Sequence, residues 1–201
     1  EIERALLTAA AIGFVLFVLV EMRVASPLLR PAMFRDRDLT AGFAMSALVA
    51  TVMMTTLVVG PFYLARALGL DAALVGVTLS AGPAVAALSG VPAGRVVDRF
   101  GAQGMTVAGL VAMAAGTILL ATMPSEFGVP AYVGAIVVLT AGYALFQAAN
   151  NTAVMTGVRA EQRGVVSGLL NLSRSLGLIT GASAMGAVFA FASASIDVAT
   201  A

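Results

Sequence analysis

Six apolar stretches, each close to the length needed to cross a lipid bilayer, divide this 201-residue chain, and nearly all of its charged residues fall between them. They cover residues 5–20, 39–64, 72–93, 102–123, 129–156 and 164–192. About 20 residues of helix cover a hydrocarbon core of about 30 Å. Five stretches are therefore ample, and the first is short, bounded by Arg4 and Glu21. A helix facing water on one side carries a polar residue at every third or fourth position; these are apolar nearly all round. With 60% hydrophobic residues, 10% charged residues and a mean hydropathy of +1.02, the expected fold is all-α, a polytopic membrane protein with six transmembrane helices. The lipid bilayer is its first expected partner.

Other classes of function lack their chemistry. A net charge of +1 provides no basic surface for nucleic acid. Cysteine and histidine are both absent, which removes disulfides, thiol chemistry, histidine metal sites and histidine proton relays. The apolar stretches offer no carboxylate pair and no nucleophile–base set, so no enzyme, no bound metal and no cofactor is expected. The chain begins at Glu1 and reads as an excerpt from a longer polypeptide.

The arginines orient the spans, because those in short loops stay on the cytoplasmic side. Arg23, Arg30, Arg35 and Arg37 follow span one, Arg95 and Arg99 follow span three, and Arg159 and Arg163 follow span five; only Arg4 and Arg66 lie on the opposite side. Eight against two places the first, third and fifth gaps inside the cell. The second and fourth gaps are a few residues long, which forces neighbouring helices into antiparallel hairpins. Pro27 and Pro31 break any helix in the first gap, leaving a linker along the cytoplasmic surface.

Polar residues inside the spans are the candidate functional groups. Thr140, Tyr143, Gln147, Asn150 and Asn151 fall within an arc of about 100° on span five. Two readings fit that face: hydrogen-bonding glue between helices, or the wall of a substrate pathway. Arg174 lies about three turns into span six, where an intramembrane charge costs at least about 3 kcal/mol on insertion scales and normally faces the bundle interior; Asn171 shares its side. An anion-attracting pathway group and an arginine snorkelling to the cytoplasmic headgroups are the alternatives. Thr51 and Thr55 share a face of span two and are pathway candidates. The pairs Gly164/Gly168 and Gly177/Gly181 suit close helix packing, and Gly82, Pro83 and Pro92 would kink span three. Ten methionines suit adaptable apolar packing. In the third gap, Gly94, Arg95, Asp98, Arg99 and Gly101 read as a tight charged turn that either obeys the positive-inside bias or clamps neighbouring helices.

The pattern Gly-x-x-x-Asp-Arg-x-Gly over residues 94–101, between two apolar spans, resembles the signature loop of the major facilitator superfamily, placed there between the second and third helices of a six-helix half. The preceding span, with Gly82-Pro83 and residues 90–94, resembles the second helix of the carboxyl-terminal half. Residues 161–177 are similar to the fifth helix of that half in the fourteen-helix drug:proton antiporters, and the linker over residues 27–37 also resembles that branch. Ala102-Gln103-Gly104 stands where the strong form of the loop continues with basic residues, which matches the weaker second copy. The resemblance implies that residues 1–38 hold the last of the extra central helices and a cytoplasmic linker. Residues 39–201 then hold the first five helices of the carboxyl-terminal bundle, with one more helix to follow.

The implied function is that of a portion of a secondary active transporter in the bacterial cytoplasmic (inner) membrane, exporting small amphipathic compounds by alternating access. Its expected partners are the amino-terminal half of the same polypeptide and the substrate. The resemblance also implies drive from a proton gradient; since the spans contain no carboxylate, the coupling group would lie in the amino-terminal half. Tyr143, Gln147, Asn150, Asn151, Asn171, Arg174, Thr51 and Thr55 are the expected pathway residues, and Gly94, Arg95, Asp98, Arg99 and Gly101 the expected conformational latch. A non-transporting membrane scaffold with the same fold is the alternative.

Overall fold

The computed structural model describes residues 8, 9, 12, 13, 15, 16, 19 and 35–200, the side chains of residues 125, 190 and 192–200 excepted. Most of the first expected span and of the linker after it thus lies outside the described residues. The chain divides into two compact units, residues 1–40 and residues 41–201. In the first, the Asp36 carboxylate caps the helix that follows, accepting hydrogen bonds from the backbone N–H groups of Asp38 and Leu39 at 3.0 and 3.3 Å.

The structure is all-α, with no strand among the described residues. Helix α1 (Arg37–Phe62) is prolonged by a π-helical turn, Tyr63–Ala67. Pro61 lies just ahead of that turn, and the missing proline N–H there is a recurrent setting for local rewinding. Then come α2 (Ala72–Leu79), α3 (Ala81–Phe100), α4 (Ala102–Thr122), α5 (Gly128–Thr156) and α6 (Arg163–Thr200). Among the described residues four stretches, Arg37–Ala67, Ala72–Phe100, Ala102–Thr122 and Gly128–Thr156, are long and apolar enough to cross a membrane. Leu48, Leu57, Leu88, Val91, Val111 and Ile118 are among the large apolar side chains left exposed, as a lipid-facing surface requires.

One expectation for span three, that of a charged turn at its end, needs correction. A one-residue break in the helix, at Ser80, falls three residues ahead of Pro83, whose missing N–H removes one ladder bond, while the Ala84 N–H still donates to the Ser80 carbonyl at 3.1 Å. Around the break the Ser80 N–H donates to the carbonyls of Gly76 and Val77 at 3.1 and 3.2 Å, and its hydroxyl donates to Val77 at 2.6 Å; the helix runs unbroken through Pro92. Residues 94–100, expected as a charged turn, are the last two turns of α3. Gly101 alone joins α3 to α4. Its φ of 86° and ψ of 148° form a conformation open in practice to glycine.

Helix α5 is the centre of the larger unit. It packs most extensively on α4 and then on α3. The α4–α5 contact is backbone against backbone: a Cβ at Gly116 would lie 2.7 Å from the Leu139 nitrogen, and one at Gly142 would lie 2.8 Å from the Met113 nitrogen. Helix α1 meets α5 through Asn150, 2% exposed, whose side-chain amide donates to the Gly42 carbonyl at 3.2 Å and to the Ser46 hydroxyl at 2.9 Å. The Gly177/Gly181 pair of α6 lies against α1 so closely that a Cβ on either would strike the backbone at Ala47 or Thr51, and the Thr51 hydroxyl lies 3.0 Å from the Gly177 carbonyl as donor. Gly164 and Gly168 meet nothing comparable among the described residues.

Substituting Gly101 with Ala should destabilise the intact protein in detergent by about 1–3 kcal/mol, whereas Gly104→Ala, on an open helical position of α4, should be neutral or stabilising. Thermal melting midpoints of the two variants check the pair. Asn150→Ala and Ser46→Ala should each cost about 1 kcal/mol and together less than the sum, with a coupling of about 0.6 kcal/mol in a double-mutant cycle.

Candidate functional site

The face of α5 carrying Tyr132, Ile136, Thr140 and Tyr143 follows the helical repeat and borders a cavity of about 260 Å³. Met53, Thr56 and Leu57 of α1 form a second wall, and Thr78, Leu79, Gly82 and Pro83 close the third from both sides of the break at Ser80. A neighbouring cavity of about 380 Å³ lies between α1, α4 and α5, bordered by Thr51, Thr55, Val59, Tyr63, Thr117 and Leu120. Thr56 and Tyr132 belong to both walls. Gly60 leaves room for the Tyr132 side chain, since a Cβ there would lie 2.5 Å from its hydroxyl oxygen. The rings of Tyr63 and Tyr132 stack with centroids 6.0 Å apart at 20°.

Neither wall contains a charged residue, and the polar side chains among the lining residues are threonines and tyrosines. Such a surface holds an apolar body by dispersion, and the hydroxyls of Thr51, Thr55, Thr56 and Thr117, which donate to helix carbonyls, keep lone pairs to accept. All three tyrosines of the chain lie on it, so planar groups meet stacking partners at several heights.

A third cavity, of about 410 Å³, has a different character. Asn151 and Met155 near the end of α5 face Ser167, Gly168, Leu170, Asn171 and Arg174 on α6. Thus the polar face expected on span five is shared among several neighbours. Thr140 and Tyr143 turn to the first cavity and Asn151 to the third, Asn150 is taken up in packing on α1, and Gln147 is half-buried and borders none of these spaces. Thr51 and Thr55 line the second cavity, and the Thr55 hydroxyl donates to the Thr51 carbonyl at 2.9 Å.

The charged residues at the end of α3 stand apart from the cavities. Arg95, Asp98 and Arg99 are exposed, and the Arg99 guanidinium lies 5.5 Å from the Phe100 ring centroid. Among the described residues Asp98 lies in no ion pair. Gly94 borders open space.

Sequence reasoning missed Tyr132, Thr78, Thr56 and Tyr63. For Tyr132 the signal was present: carrying the Thr140/Tyr143 stripe two turns towards the start of α5 reaches it. Thr78 carries no signal of its own, because its place depends on the break at Ser80.

The sequence matches the family description "Major Facilitator Superfamily" over residues 5–182. It is 28% identical over 185 residues to the multidrug resistance protein Stp of Mycobacterium tuberculosis, covering 92% of this chain and 34% of that protein. It is 29% identical over 184 residues to the tetracenomycin C resistance and export protein of Streptomyces glaucescens, covering 92% and 34%. The multidrug efflux pump LfrA of Mycolicibacterium smegmatis is 26% identical over 194 residues, covering 94% and 38%. The chain thus spans about a third of the length of these curated relatives. Together with the long apolar helices, the match shows that this multi-pass membrane protein belongs to the Major Facilitator Superfamily.

Proposed function

We propose that the chain is part of the carboxyl-terminal half of a fourteen-helix exporter of small amphipathic compounds in a bacterial cytoplasmic (inner) membrane. In this reading residues 1–38 hold an extra central helix and a linker, and residues 39–201 hold five helices of a six-helix bundle. The observation that carries it is the uncharged cavity bordered by Tyr143, Thr140, Tyr132 and Thr56, in a chain whose relatives include proteins named for multidrug resistance and efflux. An apolar wall with a few hydroxyls selects by size and amphipathic character more than by one fixed contact, which suits a permissive exporter. The amino-terminal half of the same polypeptide supplies the other wall and the carboxylate that couples export to the proton gradient, since residues 102–122 and 128–156 contain no titratable acid. Alternating access then exposes the cavity to each side in turn. Asp98 and Arg99, exposed at the cytoplasmic end of α3, act as the latch by pairing with another part of the polypeptide in one of the two states.

Two outcomes test the reading in proteoliposomes containing the intact protein. Tyr143→Ala should weaken export of aromatic amphipathic dyes about tenfold, the scale of a lost stacking contact, while leaving protein yield unchanged; an unaltered export profile would return this face to packing. Asp98→Asn should slow export of every compound alike, because a latch acts on the conformational step and not on recognition. Normal flux in that variant would remove the latch.

A further inference from the structure

Arg174 presents a problem that the export reading does not solve. An arginine side chain is charged at any physiological pH, and Arg174 stands about 16 Å along α6 from the start of that helix. No Asp or Glu occurs anywhere between Glu161 and Asp197, and α5 contains none at all. The wall of the cavity it borders also lacks a carboxylate. Among the described residues Arg174 has no ion-pair partner.

What surrounds it instead is a set of neutral hydrogen-bond donors. Ser167, Asn171 and Arg174 recur at four- and three-residue spacing on one face of α6, and Asn151 of α5 faces them across the cavity of about 410 Å³. Side chains on a helix tilt towards its amino terminus, so the Arg174 side chain is directed to the turn that carries Asn171 and Gly168. The space beside that turn is open, since a Cβ built on Gly168 would meet nothing within 4 Å. Asn151 lies about 8 Å from the end of α5, so the space is reached from the side of the membrane where α5 ends and α6 begins.

We propose that this cavity is an oxyanion site that takes a phosphate or carboxylate group. The planar guanidinium of Arg174 pairs with two oxygens of the anion, and the side chains of Asn151, Asn171 and Ser167 donate to the others. The group belongs either to the headgroup of an anionic lipid or to a free organic anion. In both cases Met155 and Leu170 border the apolar part of the ligand. The site is separate from the hydroxyl-lined cavities, and binding is read without transport, so the inference does not depend on the export reading.

The test is binding of phosphatidylglycerol to the intact protein by native mass spectrometry, with benzoate as the free anion in thermal shift assays in neutral-lipid nanodiscs. Phosphatidylglycerol affinity should fall at least about tenfold in Arg174→Gln, the loss of a charge-assisted hydrogen bond. It should be unchanged in Arg159→Gln, an exposed arginine outside the cavity. A benzoate shift lost in Arg174→Gln, without such a phosphatidylglycerol effect, identifies the free anion as the ligand and also supports the site. Should Arg174→Gln fail to fold, Asn151→Ala and Asn171→Ala, both at exposed positions, should each weaken binding about fivefold. Equal binding of both probes by wild type and cavity variants, or an equal loss in Arg159→Gln, overturns the proposal.

Discussion

Hydrocarbon offers no hydrogen-bond partner, and the disposition of polar side chains in this protein follows from that constraint. Threonine hydroxyls return to their own helix: Thr55, Thr56, Thr106, Thr122 and Thr152 each donate to the carbonyl four residues back, at 2.8 to 3.0 Å. Asn150 cannot satisfy its amide in that way and reaches across to α1, where Gly42 and Ser46 receive it. Among the described residues every buried side-chain nitrogen or oxygen has a hydrogen-bond partner. Apart from Gln147, other large polar side chains within the spans gather at cavities, with tyrosines on one set of walls and amides and a guanidinium on another.

Packing within the membrane rests on a complementary device. Lipid tails are as apolar as leucine, so helices gain little from hiding apolar surface from lipid and more from close approach. Helices α4 and α5 touch through Gly109, Gly116 and Gly142, and α6 meets α1 through Gly177 and Gly181. These contacts leave α5 central, and Phe146, Leu139 and Asn150 on it are among the largest fully buried side chains.

The apolar spans were legible because length and hydropathy decide them with little help from context. Helix ends were less so: residues 94–101 read as a turn because they are charged and bracketed by glycines, yet a charged stretch at a membrane surface remains free to stay helical, and only Gly101 has the backbone angles of a turn. The arc of polar residues on span five was legible as a face but not as a site. An arc of about 100° is wide enough to meet more than one neighbour, and only packing decides that Asn150 meets α1 while Asn151 meets α6. Of the two small-residue pairs on α6, one touches a described helix and the other does not, a difference that spacing alone does not encode.

The break at Ser80 separates two pieces of one span that both contribute to the first cavity, Thr78 and Leu79 before it and Gly82 and Pro83 after it. Helix α2 is about 12 Å long, so a change of about 10° at the break carries its far end about 2 Å. Most of α3, joined end to end with α4 through Gly101, need not follow. A bend at Ser80 would therefore redraw the first cavity, while the glycine-packed pair of α4 and α5 would keep its close contacts.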